Sequence, residues 1–247
     1  MSLTIGTGVT IGTGISVISE SASPPGPANP YLSLDAGNYS GSGPWIDGYT
    51  GSTAFTLYGS PSWSNSIGGG SFLFNGSGQY AQCNNPNLGS YSTWTIQVWM
   101  YHLGVTGPAA AIFTEVFPGT TSNINYSLGN NRGGLPGSDP NYLYSGFYNG
   151  ACRTTADGIT LTPNNWYFLA GTYDGTANKL YINGSLVSSV AYSGTPISSG
   201  GGIRLMRRWD TAEYWQGRLA IAKVANFAYT ATDINNNWKA NKSRFGL

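Results

Sequence analysis

The Asn183-Gly184 dipeptide, set between Lys179-Leu180-Tyr181-Ile182 and Ser185-Leu186-Val187, constrains this chain more than any other feature. A two-residue hairpin turn needs positive φ at both central positions, and Asn-Gly adopts it at little steric cost. The turn predicts that Leu180 pairs with Val187 and Tyr181 with Leu186, with Ile182 on the Leu180 face. Just upstream, Trp166, Phe168 and Ala170 alternate with Tyr167, Leu169 and Gly171, a strand with side chains to both faces. Between the two, Tyr173-Asp174-Gly175-Thr176 is turn chemistry, with Asp174 as its cap. A hairpin cannot bury one face alone, so the rest of the chain has to supply a second sheet.

The remaining sequence has the material for one. Seventeen Tyr, 8 Trp and 9 Phe suffice for a two-sheet core, and 36 Gly mark frequent turns without a collagen period. The clearest strand is 93–102. There Trp94, Ile96, Val98 and Met100 face one way, as core, and Thr95, Gln97, Trp99 and Tyr101 face the other. Further strands are predicted at 32–35, 54–57, 71–74, 80–83, 111–117, 124–128, 142–147, 203–209 and 218–224. Residues 36–53 read as a long Gly/Ser loop carrying Trp45, Asp47 and Tyr49, and Gly68-Gly69-Gly70 as a flexible entry to the Phe72/Phe74 strand. Helix evidence occurs once, near the end. Thr230 and Asp233 form a variant capping box, Ile234 and Trp238 share a face, and Gly246 terminates the segment. Many short strands with one terminal helix predict an all-β chain, an antiparallel two-sheet sandwich of residues 31–247.

Two segments precede it. Residues 4–15 repeat Thr-Ile-Gly-Thr-Gly followed by Val or Ile, so Ile5 recurs as Ile11 and Val9 as Ile15. Two copies cannot form a solenoid. The segment is either a flexible leader or an extended arm ordered against a partner. The regular apolar positions favour the arm, assigned to 1–22. The proline-rich stretch 23–30 is a stiff spacer.

Charged residues make up 9% of the chain and the net charge is +1, so no basic tail invites nucleic acid. Arg204, Arg207, Arg208 and Arg218 read as a solvated sheet edge or an interface. No stretch is long enough to span a membrane, and the first 30 residues lack the pattern of a secretory signal. Cys83 and Cys152 fit no metal spacing. They form either one disulfide or two buried thiols, and a chain of this size folds without a staple.

Several blocks in order carry a family resemblance: Leu32–Asn38, Gly69–Gly76, Trp94–Met100, Asn165–Gly175, Asn178–Val187 and the closing Gly217–Val224. The sequence from about residue 31 onward resembles the laminin G-like, concanavalin A-like jelly roll. The Leu-Asp-Ala-Gly-Asn opening, the 237–246 ending and the Thr-Ile-Gly-Thr-Gly leader look like the variety found in structural proteins of tailed bacteriophages. That likeness implies a virion protein, a head decoration or tail appendage. It further implies other virion proteins as partners, a homo-oligomer (a trimer), and contact with host polysaccharide. The family often carries an acid in the loop after the Phe72 strand; here Asn75-Gly76 and Gln79-Tyr80 stand there, which weakens an inherited calcium site.

Glycan cleavage on this fold needs two facing carboxylates. The 10 acids are scattered. Glu115 is alone on its strand and His102 has no nucleophile pattern beside it, so the chain reads as non-enzymatic. Calcium is the one cofactor the loops leave open, with Asp47 the best ligand among Asp35, Asp47 and Asp174. Sugar binding needs exposed aromatics beside amides or acids. Two sets qualify: Trp99, Tyr101 and Gln97 on one strand face, and Trp209, Trp215 and Asp210, with Glu213, around a later loop.

Overall fold

The computed structural model describes residues 31–84, 91–105, 110–115, 126–130, 142–149, 151–197, 201–208 and 213–247, with the backbone alone at 130, 142 and 152–158. The arm (Ile5, Val9, Ile11, Ile15) and the proline spacer lie outside these residues, as do Trp209 and Asp210.

The first strands are β1 (Leu32–Asp35), β2 (Trp45–Ile46), β3 (Ala54–Tyr58), β4 (Ser62–Ser64), β5 (Ser71–Asn75) and β6 (Tyr80–Cys83). There follow β7 (Trp94–Val105), β8 (Ala111–Glu115), β9 (Tyr126–Asn130), β10 (Tyr142–Tyr148) and β11 (Cys152–Thr160). The last are β12 (Asn165–Tyr173), β13 (Ala177–Ile182), β14 (Ser185–Ala191), β15 (Ile203–Leu205) and β16 (Trp215–Ala225), before helix α1 (Ala231–Asn241). One sheet runs β14-β13-β12-β7-β16-β5-β4, with β1 also on β16. The other runs β11-β10-β9-β8-β15-β6-β3-β2. The two sheets face each other across an aromatic core, the jelly-roll sandwich that the alternation predicts.

The Asn183-Gly184 turn forms with φ of 50° and 79°. Tyr181 pairs with Leu186 as expected. Leu180, however, lies opposite Ser188 rather than Val187, because a bulge intervenes between Leu180 and Tyr181. A bulge admits one extra residue and keeps the facing of both strands, so Leu180 stays in the core with Val187 and Ile182 packed beside it.

Trp94, Ile96, Val98 and Met100 are core, as their alternation requires. Trp45, read as a loop residue, is also buried, as the first residue of a two-residue strand. Residues 152–160, not predicted as a strand, form an edge strand on β10.

A disulfide between Cys83 and Cys152 is excluded by sheet order. β6 and β11 stand five strands apart in one sheet. At about 4.8 Å per strand the separation is about 24 Å, against about 4.4–6.8 Å for bridged Cα atoms.

The outer face of the first sheet is covered as well. Thr230 accepts from the Asp233 N–H while Asp233 accepts from the Thr230 N–H, the reciprocal cap foreseen for α1. The helix buries Ile234 against Trp99, Phe168, Ala170 and Tyr181. A 3-10 turn (Lys242–Phe245) then brings Phe245 onto Trp99, with ring centres 4.2 Å apart and planes at 13°. Gly246, at φ 73°, ends that turn.

Candidate functional site

The first predicted sugar set does not form a platform. Trp99 is 1% exposed and Gln97 4%. Both lie under the C-terminal cap, where Gln97 Oε1 accepts from Asn237 Nδ2 at 3.3 Å. They line a small cleft beside the helix with Phe168, Lys223 and Asn237. Tyr101 is half-buried and meets Trp166 edge-on at 5.5 Å. The strand pattern shows correctly that these side chains leave the inter-sheet core. It carries no information about the helix that covers them.

Trp215 is also buried, at 2% exposure. Its indole Nε1 donates to His102 Nδ1 at 3.0 Å. That bond places the imidazole proton on Nε2, and burial pushes the His102 pKa down to about 4. This pair is core architecture rather than a binding surface.

Asp47 does not fit a calcium ion. Its Oδ1 accepts from the N–H groups of Ser33 and Tyr49, at 2.7 and 3.1 Å. Its Oδ2 accepts from the Thr50 N–H and hydroxyl, at 2.8 and 2.7 Å. The carboxylate is buried and its acceptor positions are filled by donors that tie the loop to β1. A cation would have to displace them and find several further oxygens. Among the described residues no three His, Cys, Asp or Glu gather as a metal site. Asp174 caps its own turn, accepting from the N–H groups of Thr176 and Ala177. Glu115 sits opposite Ile203 on the inner face of its sheet, fully buried. Its charge, after burial itself, helps push up the pKa of Tyr31. A carboxylate enclosed between the sheets does not present itself to a polymeric substrate.

The outward face of the second sheet differs. Antiparallel register brings Thr56 of β3, Gln82 of β6, Arg204 of β15 and Thr114 of β8 into one cross-strand row. Directly opposite residues share a face, and Ala81 and Leu205 point inward between them. One step along, Tyr58 lies opposite Tyr80, and their rings stack with centres 4.6 Å apart and planes at 5°.

After β15, Met206 takes φ 65° and turns the chain back over this face. A ladder then closes a loop. The Trp215 N–H donates to Met206 O at 3.0 Å, Arg207 bridges Tyr214, and the Arg208 N–H donates to Glu213 O at 3.0 Å. The Arg207 guanidinium sits 4.7 Å from the Tyr80 ring centre and 5.4 Å from that of Tyr214. The Arg204 guanidinium lies 5.9 Å from the same Tyr80 centre, and its Nε donates to Gln82 Oε1 at 2.6 Å. Arg208 pairs with Glu213 at 3.0 Å. Burial lowers the Arg204 pKa, and the neighbouring Arg207 charge lowers it further.

The Tyr80 ring is thus faced by the parallel Tyr58 ring and by the Arg207 guanidinium. The face offers half-exposed tyrosines beside guanidinium groups, a surface that suits polar, ring-bearing ligands. Sequence reasoning assigned Arg204 and Arg207 to a sheet edge or interface and passed over Tyr58, Tyr80 and Tyr214. The alternation of Tyr80 and Gln82 with Ala81 and Cys83 marks the outward pair, but only the sheet order puts Tyr58 beside them. Trp209 and Asp210 lie outside the described residues.

The fold and this exposed aromatic face define a two-sheet jelly roll of the lectin type. The chain belongs to the concanavalin A-like lectin/glucanases superfamily, whose family model matches residues 75–235. Among solved structures it is similar to the receptor-binding domain of botulinum neurotoxin type G, at 16% identity and TM-score 0.64, covering 86% of this chain and 51% of that one. It is similar to domain 4 of AbnA, a GH43 extracellular arabinanase from Geobacillus stearothermophilus, solved with arabinotriose. That match has 15% identity and TM-score 0.64, covering 83% of this chain and 96% of the other. A third similar structure is the botulinum neurotoxin serotype D ligand-binding domain with N-acetylneuraminic acid, at 15% identity and TM-score 0.64, covering 85% and 50% of the two chains. The chain thus spans about half the length of the neurotoxin domains it matches. No curated protein sequence matches it.

Proposed function

We propose that this chain is a non-catalytic carbohydrate-binding jelly roll whose binding face is the Tyr58–Tyr80–Tyr214 platform with Arg204 and Arg207. The observation that carries the reading is the parallel stacking of Tyr58 on Tyr80 on an outward sheet face. Half-exposed tyrosines gathered beside polar side chains on one sheet face are the kind of surface that sugars contact. The glycan-bound structures among its fold neighbours support the same reading. The enclosed position of Glu115 favours binding over cleavage.

Affinity gel electrophoresis against soluble polysaccharides tests this. The wild-type chain is retarded by at least one polysaccharide, and Tyr80→Ala abolishes the retardation while its circular dichroism stays unchanged. Retardation that survives both Tyr58→Ala and Tyr80→Ala sinks the assignment of this face.

The likeness to tailed-phage structural proteins supports a placement for the module. It is the exposed part of a virion protein, anchored by residues 1–22 and self-associated as a trimer. Ile5, Val9, Ile11 and Ile15 bury one another or a partner's surface in that assembly. Light scattering should give a defined oligomer for the full chain and a monomer when these four become Ser. A full chain that is already monomeric removes self-association from the proposal. Immunogold labelling of purified particles tests the virion placement, and unlabelled particles overturn it.

A further inference from the structure

We infer that the cleft between the first sheet and helix α1 is a small-anion site, in which the Lys223 ammonium and the Gln97 amide hold one monovalent anion of chloride size. The site is separate from the outward face of the second sheet and stands whatever that face binds.

Its walls come from three elements. Lys223 of β16 lies directly opposite Gln97 of β7, so both side chains leave the sheet on the face that α1 covers. Asn237 and Asn241, one helical turn apart, close the cleft from the helix side, and Trp99 and Phe168 complete it. The cavity is about 20 Å³, room for one occupant of about the size of a water molecule. A sugar ring or a peptide side chain does not fit.

The polar groups that meet there are rich in unused donors. Gln97 is almost fully buried, and its Oε1 is taken by Asn237 Nδ2. Its Nε2 keeps two N–H donors, with no acceptor among the described residues. The Lys223 ammonium offers three donors and no acceptor, and no described residue accepts from it. The main-chain oxygen of Asn237 is no acceptor for it either, being bonded to Asn241 Nδ2 at 2.9 Å.

Charge then separates an anion from a water. Burial lowers the Lys223 pKa, the Asp35 carboxylate raises it, and the Arg244 guanidinium lowers it again. Both oxygens of Asp35 are already bonded to Arg244. Lys223, Asp35 and Arg244 together thus carry one net positive charge, and their single carboxylate is committed elsewhere than to Lys223. A water would accept from the free N–H groups and leave that charge uncompensated. A monovalent anion accepts from the same groups and neutralises it, the arrangement that a half-buried charge requires. Because β7, β16 and α1 each supply part of the site, only the chain with its helix docked can hold the ion, which therefore fastens the helix to the sheet.

The test uses the full chain, dialysed into sodium gluconate at neutral pH. Gluconate is too large for the cleft. Thermal melts are repeated as chloride replaces gluconate at constant ionic strength. The expected result is a saturable rise in Tm, about 3–6 °C once chloride exceeds its Kd about tenfold. Two variants locate the ion. Lys223→Met removes the charge and keeps the stem. Gln97→Glu supplies a carboxylate of its own beside Lys223 and keeps an oxygen for Asn237. The chloride response should vanish in both.

Equal melting of the wild-type chain in chloride and gluconate overturns the inference and leaves water as the occupant. A chloride response that survives in either variant overturns the placement in this cleft. Neither result touches the carbohydrate-binding reading.

Discussion

Asp35 and Arg244 stand 209 residues apart in sequence and meet in a two-bonded ion pair, Nη1 to Oδ2 and Nη2 to Oδ1, both at 2.7 Å. The same guanidinium donates from Nε to Gly68 O at 2.6 Å and from Nη2 to Gly69 O at 3.2 Å. One side chain thus joins β1, the turn before β5 and the end of the chain, beside the Phe245–Trp99 stack. The pair is partly exposed, so its Coulomb energy is screened. The carbonyl bonds and fixed geometry add to it. Arg244→Ala should cost about 2 kcal/mol, measured as a shift in urea midpoint without a change in slope.

The turn that Arg244 grips, read from Gly68-Gly69-Gly70 as a flexible entry, is closely packed. A Cβ on Gly70, at φ +118°, would stand 2.4 Å from Gly37 Cα. Gly70→Ala should therefore destabilise by more than about 2 kcal/mol, the left-handed cost and a backbone clash together. Gly78, at φ +83°, has open space where a Cβ would go, and Gly78→Ala should cost only about 1 kcal/mol. Thermal melts of the two variants make the comparison, and equal losses would contradict the packing argument.

Acid should weaken the fold in two separate windows. The His102 pKa falls from 6.5 to about 4 through burial. Between those values the unfolded chain binds the proton and the folded one does not. The stabilisation, on the order of 3 kcal/mol, is complete above pH 6.5 and is lost as pH falls toward 4. Burial alone would raise the Asp35 pKa, but the Arg244 hydrogen bond and charge, with the Gly37 N–H, outweigh it and lower the value below 3.8. Its contribution is present above 3.8 and fades below. Denaturation curves across pH should lose the first window in His102→Gln and part of the second in Asp35→Asn; the rest of the second belongs to Asp174, whose bonds from Lys179, Thr176 and Ala177 outweigh burial and also hold its carboxyl low.

Trp99 and Tyr80 should separate stability from binding. Trp99 is packed between the sheet and Phe245, so Trp99→Ala should cost about 3–5 kcal/mol, as large core truncations do. Tyr80 is half-exposed on the outward face, and Tyr80→Ala should cost about 1 kcal/mol or less. Its effect belongs in glycan affinity. A stable Trp99→Ala variant that loses glycan would restore the first strand-face reading.

The features legible in the sequence share one property: their physics is local. Asn183-Gly184 requires positive φ whatever surrounds it, and Thr230 with Asp233 caps a helix within four residues. The alternation of Trp94 to Met100 separates two faces because a strand has period 2. Even there the local signal has a limit, since the Leu180 bulge shifts one pair without altering which face is apolar. Residues 152–160 form a strand although Ile159 is their only large apolar side chain, because β10 offers them an edge to pair with.

By itself the sequence determined the class of fold, the central hairpin and the inner set of core residues, since backbone sterics and side-chain periodicity fix these over a few residues. Tertiary structure decided which second face meets water. Gln97 and Trp99 are covered by a helix more than 130 positions away, and Trp215 turns to His102 across 113. Tyr58, Tyr80 and Arg204 become one surface only because β3, β6 and β15 are neighbours in the sheet. Strand order follows from burying the whole apolar surface at once, a collective quantity that no short stretch of sequence encodes.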